Sequence, residues 1–342
     1  MNLFLTPKKT VTLIDSSWFM YRCLYSPQSA KVSQFVGDAY AGPSFLLYQS
    51  IHTLLRKNSF TAGSDGFENL IFVMDGWPKE KHDMFPGYKA QRKAQREKDK
   101  DHELKSSIRK QLRYWVIQTI PSVIARLADE EADDCIGSLA VQLAAQGYDV
   151  NIISSDKDMW QLVSPKIHVW NIQDGQYTEI DNTQTLATFG VLPEKIPLYK
   201  AWFGDASDNL PKIHRMPSRL ALPMIQECTT VDECIENIDK YIPKKDEAWK
   251  QKFIDFKDQA VINYKIACIK KDLKVPFGYF DTDISSLEQI FESYKIKSFS
   301  AQEIHGMMSA NQRSTLQILV ETKLLDSNNI LDYDSLIGEN KK

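Results

Sequence analysis

Three short β-branched runs in this chain each end on an aspartate: Val11-Thr12-Leu13-Ile14 on Asp15, Leu70-Ile71-Phe72-Val73-Met74 on Asp75, and Val150-Asn151-Ile152-Ile153-Ser154-Ser155 on Asp156. Continuous apolar runs of this kind, separated by helical patterns, predict parallel strands buried on both faces with crossover helices between them. Parallel sheets gather their sites beyond the carboxyl ends of the strands, so three strands would bring three carboxylates to one edge. Helical spacing fits Ser44 to Leu55, Ser106 to Leu127 with a break at Pro121, and Ala132 to Ala145, the last with Asp129 and Glu130 as start signals. The expected fold is therefore α/β, with a central, mostly parallel sheet flanked by helices.

At 342 residues the chain can hold one large α/β domain with an appendage, or two domains. Thr61 to Phe67 reads as a polar, glycine-containing loop, and Trp77-Pro78 and Pro86-Gly87 punctuate a basic segment that leaves the core at about 77–110. Thr185 to Gly190 reads as a helical turn stopped by glycine, and from Pro193 onward the chain becomes predominantly helical. This divides it into an α/β core over 1–190, a helical region over 191–300, and a tail over 301–342 with one helix from Gln312 to Leu324.

The net charge of −3 does not by itself suggest a nucleic-acid partner. The distribution of charge does. Residues 79–110 carry eleven Lys and Arg against six Asp and Glu, a local balance of +5. Within that segment Tyr88, Lys89, Arg92, Lys93 and Arg96 fall on one helical face, a cationic stripe headed by an aromatic. Such a face suits a single strand, whose phosphates pair with Lys and Arg while a base stacks on the tyrosine. The alternating charges from Arg96 to Lys105 read instead as a solvated helix face. Five cysteines with no CxxC pair are expected to be reduced thiols rather than a disulfide framework or a zinc site. No run approaches about 18 apolar residues, and Met1 to Lys9 lacks the order of a signal peptide, so no membrane and a cytoplasmic location are expected.

Nine acids lie at the ends of strands or helices: Asp15, Asp75, Glu131, Asp133, Asp134, Asp156, Asp158, Asp205 and Asp208. Any one aspartate after a strand is equally a helix cap or turn residue, and Asp129 and Glu130 are read that way. The convergence of the set is different, because two carboxylates about 4 Å apart repel by about 4 kcal/mol at an effective dielectric near 20 and several together require a cation. Oxygen-only ligands point to Mg²⁺, with Mn²⁺ as a substitute. Two such ions form the arrangement that activates water and stabilises the leaving oxygen in phosphodiester cleavage.

Leu13-Ile14-Asp15, Asp75-Gly76, Pro86-Gly87-Tyr88-Lys89 with Arg92, Glu131-Ala132-Asp133-Asp134, Ser154-Ser155-Asp156-Lys157-Asp158 and Gly204-Asp205-Ala206-Ser207-Asp208-Asn209-Leu210-Pro211 together resemble the motifs of the 5′ nuclease (flap endonuclease) family, in the family's order over about residues 10–300. The similarity is to the bacteriophage enzymes and to the 5′-3′ exonuclease domain of bacterial DNA polymerase I. It implies a PIN-like nuclease core, a helical arch at about 77–110, a helical DNA-binding region, and a monomer acting in bacterial or phage-infected host cytoplasm. The implied activity is two-metal, structure-directed hydrolysis of DNA near free 5′ ends, nicks or flaps in replication or repair, with RNA–DNA hybrid as a further candidate substrate.

By the same resemblance Asp15, Asp75, Glu131 and Asp133 form one metal site with Asp134 nearby. Asp156, Asp158 and Asp205 form the other, with Asp208 behind them. Tyr88 stacks on a base, Lys89 and Arg92 grip the scissile phosphate, and Lys93, Lys81 and Arg22 are further phosphate candidates, a salt bridge at the core edge being the alternative for Arg22. Lys81 stands where family members commonly carry Arg, and it keeps the charge without the fork. Phe19 and Tyr21 read as core.

After Pro211 the family usually continues with a glycine-rich hairpin that cradles a duplex phosphate and often K⁺. Here Lys212, Arg215 and Pro217 take the glycine places, which disfavours positive φ and close backbone approach, so no K⁺ site is expected. Lys212, Arg215 and Arg219 would then hold the duplex by direct charge, or the loop has no DNA role. The rival functions are a catalytically silent DNA-structure-binding protein and a PIN-type ribonuclease, the latter weakened by the presence of the basic segment and the helical region.

Overall fold

The computed structural model describes residues 10–56, 67–173 and 176–337, without the side chains of 93–95, 173 and 337. Residues 61–66 of the expected loop and the start at 1–9 lie outside the described residues. Strands β1 (Thr10–Asp15), β2 (Leu70–Met74), β3 (Val123–Arg126), β4 (Asp149–Ile153), β5 (Ile167–Gln173), β6 (Gln176–Ile180) and β7 (Phe277–Tyr279) form one sheet in the order β6-β5-β4-β1-β2-β3-β7. The five inner strands are parallel, and β6 and β7 close the two edges antiparallel.

Side chains alternate along the strands between two buried faces, as the pleat requires. Val11, Leu13, Ile71 and Val73 pack on one face with the Ala132–Ala145 helix, while Ile14, Phe72 and Met74 pack on the other with the Ser16–Tyr25, Ala41–Leu55 and His102–Gln118 helices. The chain runs from β1 outward through β2 to β3, then returns to place β4 on the other side of β1. That reversal opens a crevice at the carboxyl ends of β1 and β4, where α/β sheets bind ligands.

Two elements differ from those expected. The helix expected from Ser106 to Leu127 begins at His102 and stops at Gln118, and Val123–Arg126 is a strand beside β2. Pro121 ends the helix and the β-branched Val123-Ile124 pair suits the sheet. The tail, expected to hold a helix only from Gln312 to Leu324, instead contains a helix over Ala301–Glu321 that packs into the core. Asn311 binds both the backbone N–H (2.9 Å) and the carbonyl (3.4 Å) of Leu70 at the start of β2. With β7 paired to β3, the segment from Phe277 onward returns to the sheet instead of trailing from it. Between Ile196 and Ala267 the helices build a separate apolar cluster around Trp202 and Phe253.

Candidate active site

Register places the first acids. Asp15 pairs with Val73 and Ile14 with Ile153, so the residues after β2 and β4 flank the end of β1. Adjacent strands lie about 4.8 Å apart, and the three aspartates therefore meet. Asp15 also caps the Ser16–Tyr25 helix, accepting from Trp18 N at 3.1 Å and from Ser154 Oγ at 2.9 Å. Asp75 accepts from Ser17 Oγ and, at 2.8 Å, from Ala132 N, which brings the amino end of the Ala132–Ala145 helix to the same point. That helix end carries Asp133 toward the cleft, where the helix dipole favours an anion. Asp156 caps the short Lys157–Leu162 helix and accepts from Asp158 N at 2.9 Å.

Lysines divide the nine acids into two groups. Lys81 lies 3.0 Å from Glu131 and 2.8 Å from Asp134, and Lys89 lies 2.5 Å from Glu131 and 3.7 Å from Asp208. Lys200 binds Asp158 and, at 2.6 Å, Asp205. Asp15, Asp75, Asp133 and Asp156 have no ion-pair partner among the described residues. The electrostatic consequence is direct. Burial, together with Asp75 and Asp156, pushes the Asp15 carboxyl up to about 7, and burial with Asp156, Glu131 and Asp15 pushes Asp133 well above the usual range. Burial acts the same way on Glu131, but Lys89 and Lys81 outweigh it and hold that carboxyl down at about 2. Asp158 is raised by burial despite Lys200, whereas for Asp205 the ammonium and Ser207 overcome burial and lower it. Ligand oxygens of Asp158, Asp205 and Asp208 lie within 4.8 Å of one another.

The basic segment closes over this floor. Its short Lys79–Met84 helix and the Ala90–Lys98 helix flank Tyr88 and Lys89, and Lys89 takes a left-handed φ of 53° at the start of the second helix. That strained turn is tied to the opposite side: Lys89 N donates to Asp208 O at 3.1 Å, Asn209 Nδ2 to Gly87 O at 2.8 Å, and Gln91 Nε2 to Asn209 Oδ1 at 2.8 Å. Arg92 reaches Asp208 at 3.4 Å and lines the cleft with Arg96 and Lys157. The cleft has a volume of about 1130 Å³, with acids on its floor and cations at its mouth.

This geometry coincides with two sequence-family matches. Residues 10–190 match the 5'-3' exonuclease N-terminal resolvase-like domain, and residues 191–304 match the 5'-3' exonuclease C-terminal SAM fold. The chain belongs to the 5'-3' exonuclease family. Among the relatives of this 5'-3' exonuclease family member, the 5'-3' exonuclease of Aquifex aeolicus is 28% identical over 90% of this chain and 99% of its own length. The thermostable DNA polymerase I of Thermus aquaticus is 26% identical over 80% of this chain, which spans only 30% of that longer protein. The fold is similar to that of the bacteriophage T5 D15 flap endonuclease solved with DNA and metal ions (TM-score 0.59, 16% identity, 92% of this chain and 100% of that one).

Several residues of this 5'-3' exonuclease family chain sit elsewhere than their motifs suggest. Lys81, expected at a phosphate, is 5% exposed and enclosed by Glu131 and Asp134. Tyr88, expected as a stacking platform, is 2% exposed and donates to Glu131 at 2.8 Å. Asp134 is fully buried; it accepts from Lys270 N at 2.9 Å and pairs with Lys81, away from the cleft. Arg22 turns inward and donates to Ser50 Oγ at 3.2 Å. Arg219 is held in a two-pronged pair with Asp246 at 2.7 and 2.8 Å. Lys93 lies on the Ala90–Lys98 helix, its side chain outside the described residues. Phe19 is core as expected, but Tyr21 is half-exposed and lines the cleft.

Lys212 and Arg215 are exposed, and Arg215 adopts φ 55°, a left-handed turn where the missing glycines had disfavoured one. Lys200 escaped sequence reasoning, although a lone lysine in Ile196-Pro197-Leu198-Tyr199-Lys200-Ala201-Trp202-Phe203, five residues before Asp205, is a readable signal.

Proposed function

We propose that this chain is a divalent-metal-dependent 5′ nuclease that hydrolyses DNA phosphodiesters near free 5′ ends, nicks and flap junctions, acting as a monomer. The observation that carries this reading is the quartet Asp15, Asp75, Asp133 and Asp156, without an ion-pair partner among the described residues, beneath a basic segment. Two of its carboxyls resist ionisation because burial and the neighbouring acids outweigh the hydrogen bonds that Asp15 accepts and the charge of Lys89 near Asp133, and the all-oxygen donor set fits Mg²⁺ or Mn²⁺. Bound divalent ions would supply charge neutralisation and activation of the attacking water.

The remaining work falls to the chain's own groups. Arg92, Arg96 and Lys157 at the mouth draw phosphates toward the acids. Lys89 stays protonated, since Glu131 and Asp208 more than offset its burial, and places a fixed positive charge beside the floor where charge develops on the phosphate. Lys81 and the Tyr88 hydroxyl hold Glu131 as a carboxylate, which in turn positions Lys89. Lys212 and Arg215 lie exposed in the helical region for contact with duplex phosphates.

Digestion of end-labelled flap, nicked, blunt and RNA–DNA hybrid substrates in Mg²⁺ tests the reading. Cleavage at the flap junction or nick ahead of the blunt duplex is expected. Tight flap binding without cleavage would make the chain a DNA-structure-binding protein, and preference for RNA alone a ribonuclease.

A further inference from the structure

Trp77 has no part in the acid cluster, yet it is 42% exposed at the wall of the same cleft. A singly exposed aromatic is ordinary on a protein surface; what distinguishes Trp77 is how firmly the chain sets it in the cleft wall. Its surroundings hold it rigidly. Trp77 N donates to Ala128 O at 2.7 Å, Gly76 N donates to Glu130 O at 2.8 Å, and Trp77 O accepts from Lys79 N at 2.7 Å. A Cβ at Gly76 would meet Leu127 O at 2.1 Å, so the glycine lets this strand-end turn lie against the 127–130 turn.

The indole is also backed on one side. The His82 ring lies parallel to it, 4.3 Å between centroids and 6° between planes, and His82 in turn meets Tyr88 edge-on at 5.4 Å. Burial lowers the pKa of His82 from its ordinary value, which favours a neutral ring against the indole. The result is a tier of three rings ending in a partly open tryptophan, at the foot of the basic segment and two residues from Asp75. A planar, neutral, heteroaromatic group is what such a preorganised platform accepts, and the cations at the cleft mouth require that it come attached to phosphates.

We infer that Trp77, backed by His82, is a stacking subsite for one unpaired nucleobase of the strand passing beneath the basic segment, next to the bond that is cut. The inference rests on the nuclease reading above and adds a base contact that Tyr88, being buried, does not supply. Stacking at this position is sequence-tolerant, since every base has a π-face, and it fixes how far the strand advances before the phosphate meets the acids.

The test uses the full chain, Ca²⁺ in place of Mg²⁺, and 5′-flap duplexes carrying 2-aminopurine at successive positions around the junction. One position is expected to lose fluorescence on binding wild type and Trp77→Phe, and to keep it with Trp77→Ala. An abasic nucleotide there should weaken binding to wild type by about fivefold to a hundredfold, the range that stacking one base on an aromatic supplies. It should have little effect on Trp77→Ala, which is already weakened to the same degree. Equal abasic penalties in wild type and Trp77→Ala, or quenching indifferent to Trp77, would overturn the subsite while flap cleavage by wild type in Mg²⁺ left the nuclease reading standing. Failure of wild type to bind any flap would overturn both. Trp77→Phe, which keeps a ring against His82, separates loss of stacking from loss of fold.

Discussion

Replacing Asp15 by asparagine should stabilise the metal-free protein while disabling it. Asp15 is 6% exposed, and its carboxyl is pushed from 3.8 up to about 7 by burial and by the neighbouring Asp75 and Asp156. Below pH 3.8 the folded and unfolded chains both carry the proton, and the residue costs nothing. Between 3.8 and about 7 the unfolded chain releases its proton while the folded one keeps it, so stability falls as pH rises; above about 7 the full penalty applies. At about 1.4 kcal/mol per pKa unit, that penalty is about 4 kcal/mol at pH 8 and about 2 kcal/mol at pH 5.5. Asparagine removes the charge and keeps the oxygen that accepts from Trp18 N, so the helix cap survives. Urea unfolding in EDTA should therefore show Asp15→Asn more stable than wild type by up to about 4 kcal/mol at pH 8, with the gain roughly halved at pH 5.5. Added Mg²⁺ should stabilise wild type more than the variant. A variant no more stable than wild type in EDTA at pH 8 would refute the claim that the acids strain the fold for want of a cation.

Lys89→Ala should lower the single-turnover rate about 10²- to 10³-fold, with flap affinity in Ca²⁺ much less affected, because a charge beside the scissile phosphate acts mainly in the transition state. Fluorescence anisotropy should show Lys212→Ala/Arg215→Ala flattening the dependence of log affinity on log salt by up to about 2, at about 0.9 per contact, while Arg219→Ala changes it little because Asp246 already holds that side chain. Asn311→Ala should destabilise the nuclease core by about 1–3 kcal/mol in urea melts, since it leaves the buried Leu70 N–H without its acceptor.

Much of this molecule was legible before its structure. The three runs ending on aspartate are adjacent parallel strands, because period and composition report burial on both faces, and the Ala132–Ala145 helix has the expected bounds. What escaped was set by tertiary context. Val123–Arg126 is too short for periodicity to separate from the helix before it, and β7 has only three residues, one of them glycine. Motif order brought the nine acids to one region, yet it could not say which of them lysines would already neutralise. Lys81 and Lys89 take Glu131, and Lys200 takes Asp158 and Asp205. Tyr88 and Tyr21 exchange their expected settings because a tyrosine's burial depends on what folds over it: Glu131 and the basic segment enclose the first, and the cleft leaves the second open. Arg215 shows the same limit in the backbone, where a left-handed turn forms without the glycine that usually signals it.

The proposed function makes the acid floor a metal-dependent cutting site for DNA. Its most direct test is cleavage of a flap substrate, labelled on the flapped strand, by wild type and Asp133→Asn in Mg²⁺ and in EDTA, alongside binding in Ca²⁺. Wild type is expected to cut near the junction only with Mg²⁺, and Asp133→Asn to bind the flap as well as wild type while cleaving it orders of magnitude more slowly. A flap bound but left intact by wild type in Mg²⁺, or cut at the wild-type rate by Asp133→Asn, would contradict the account.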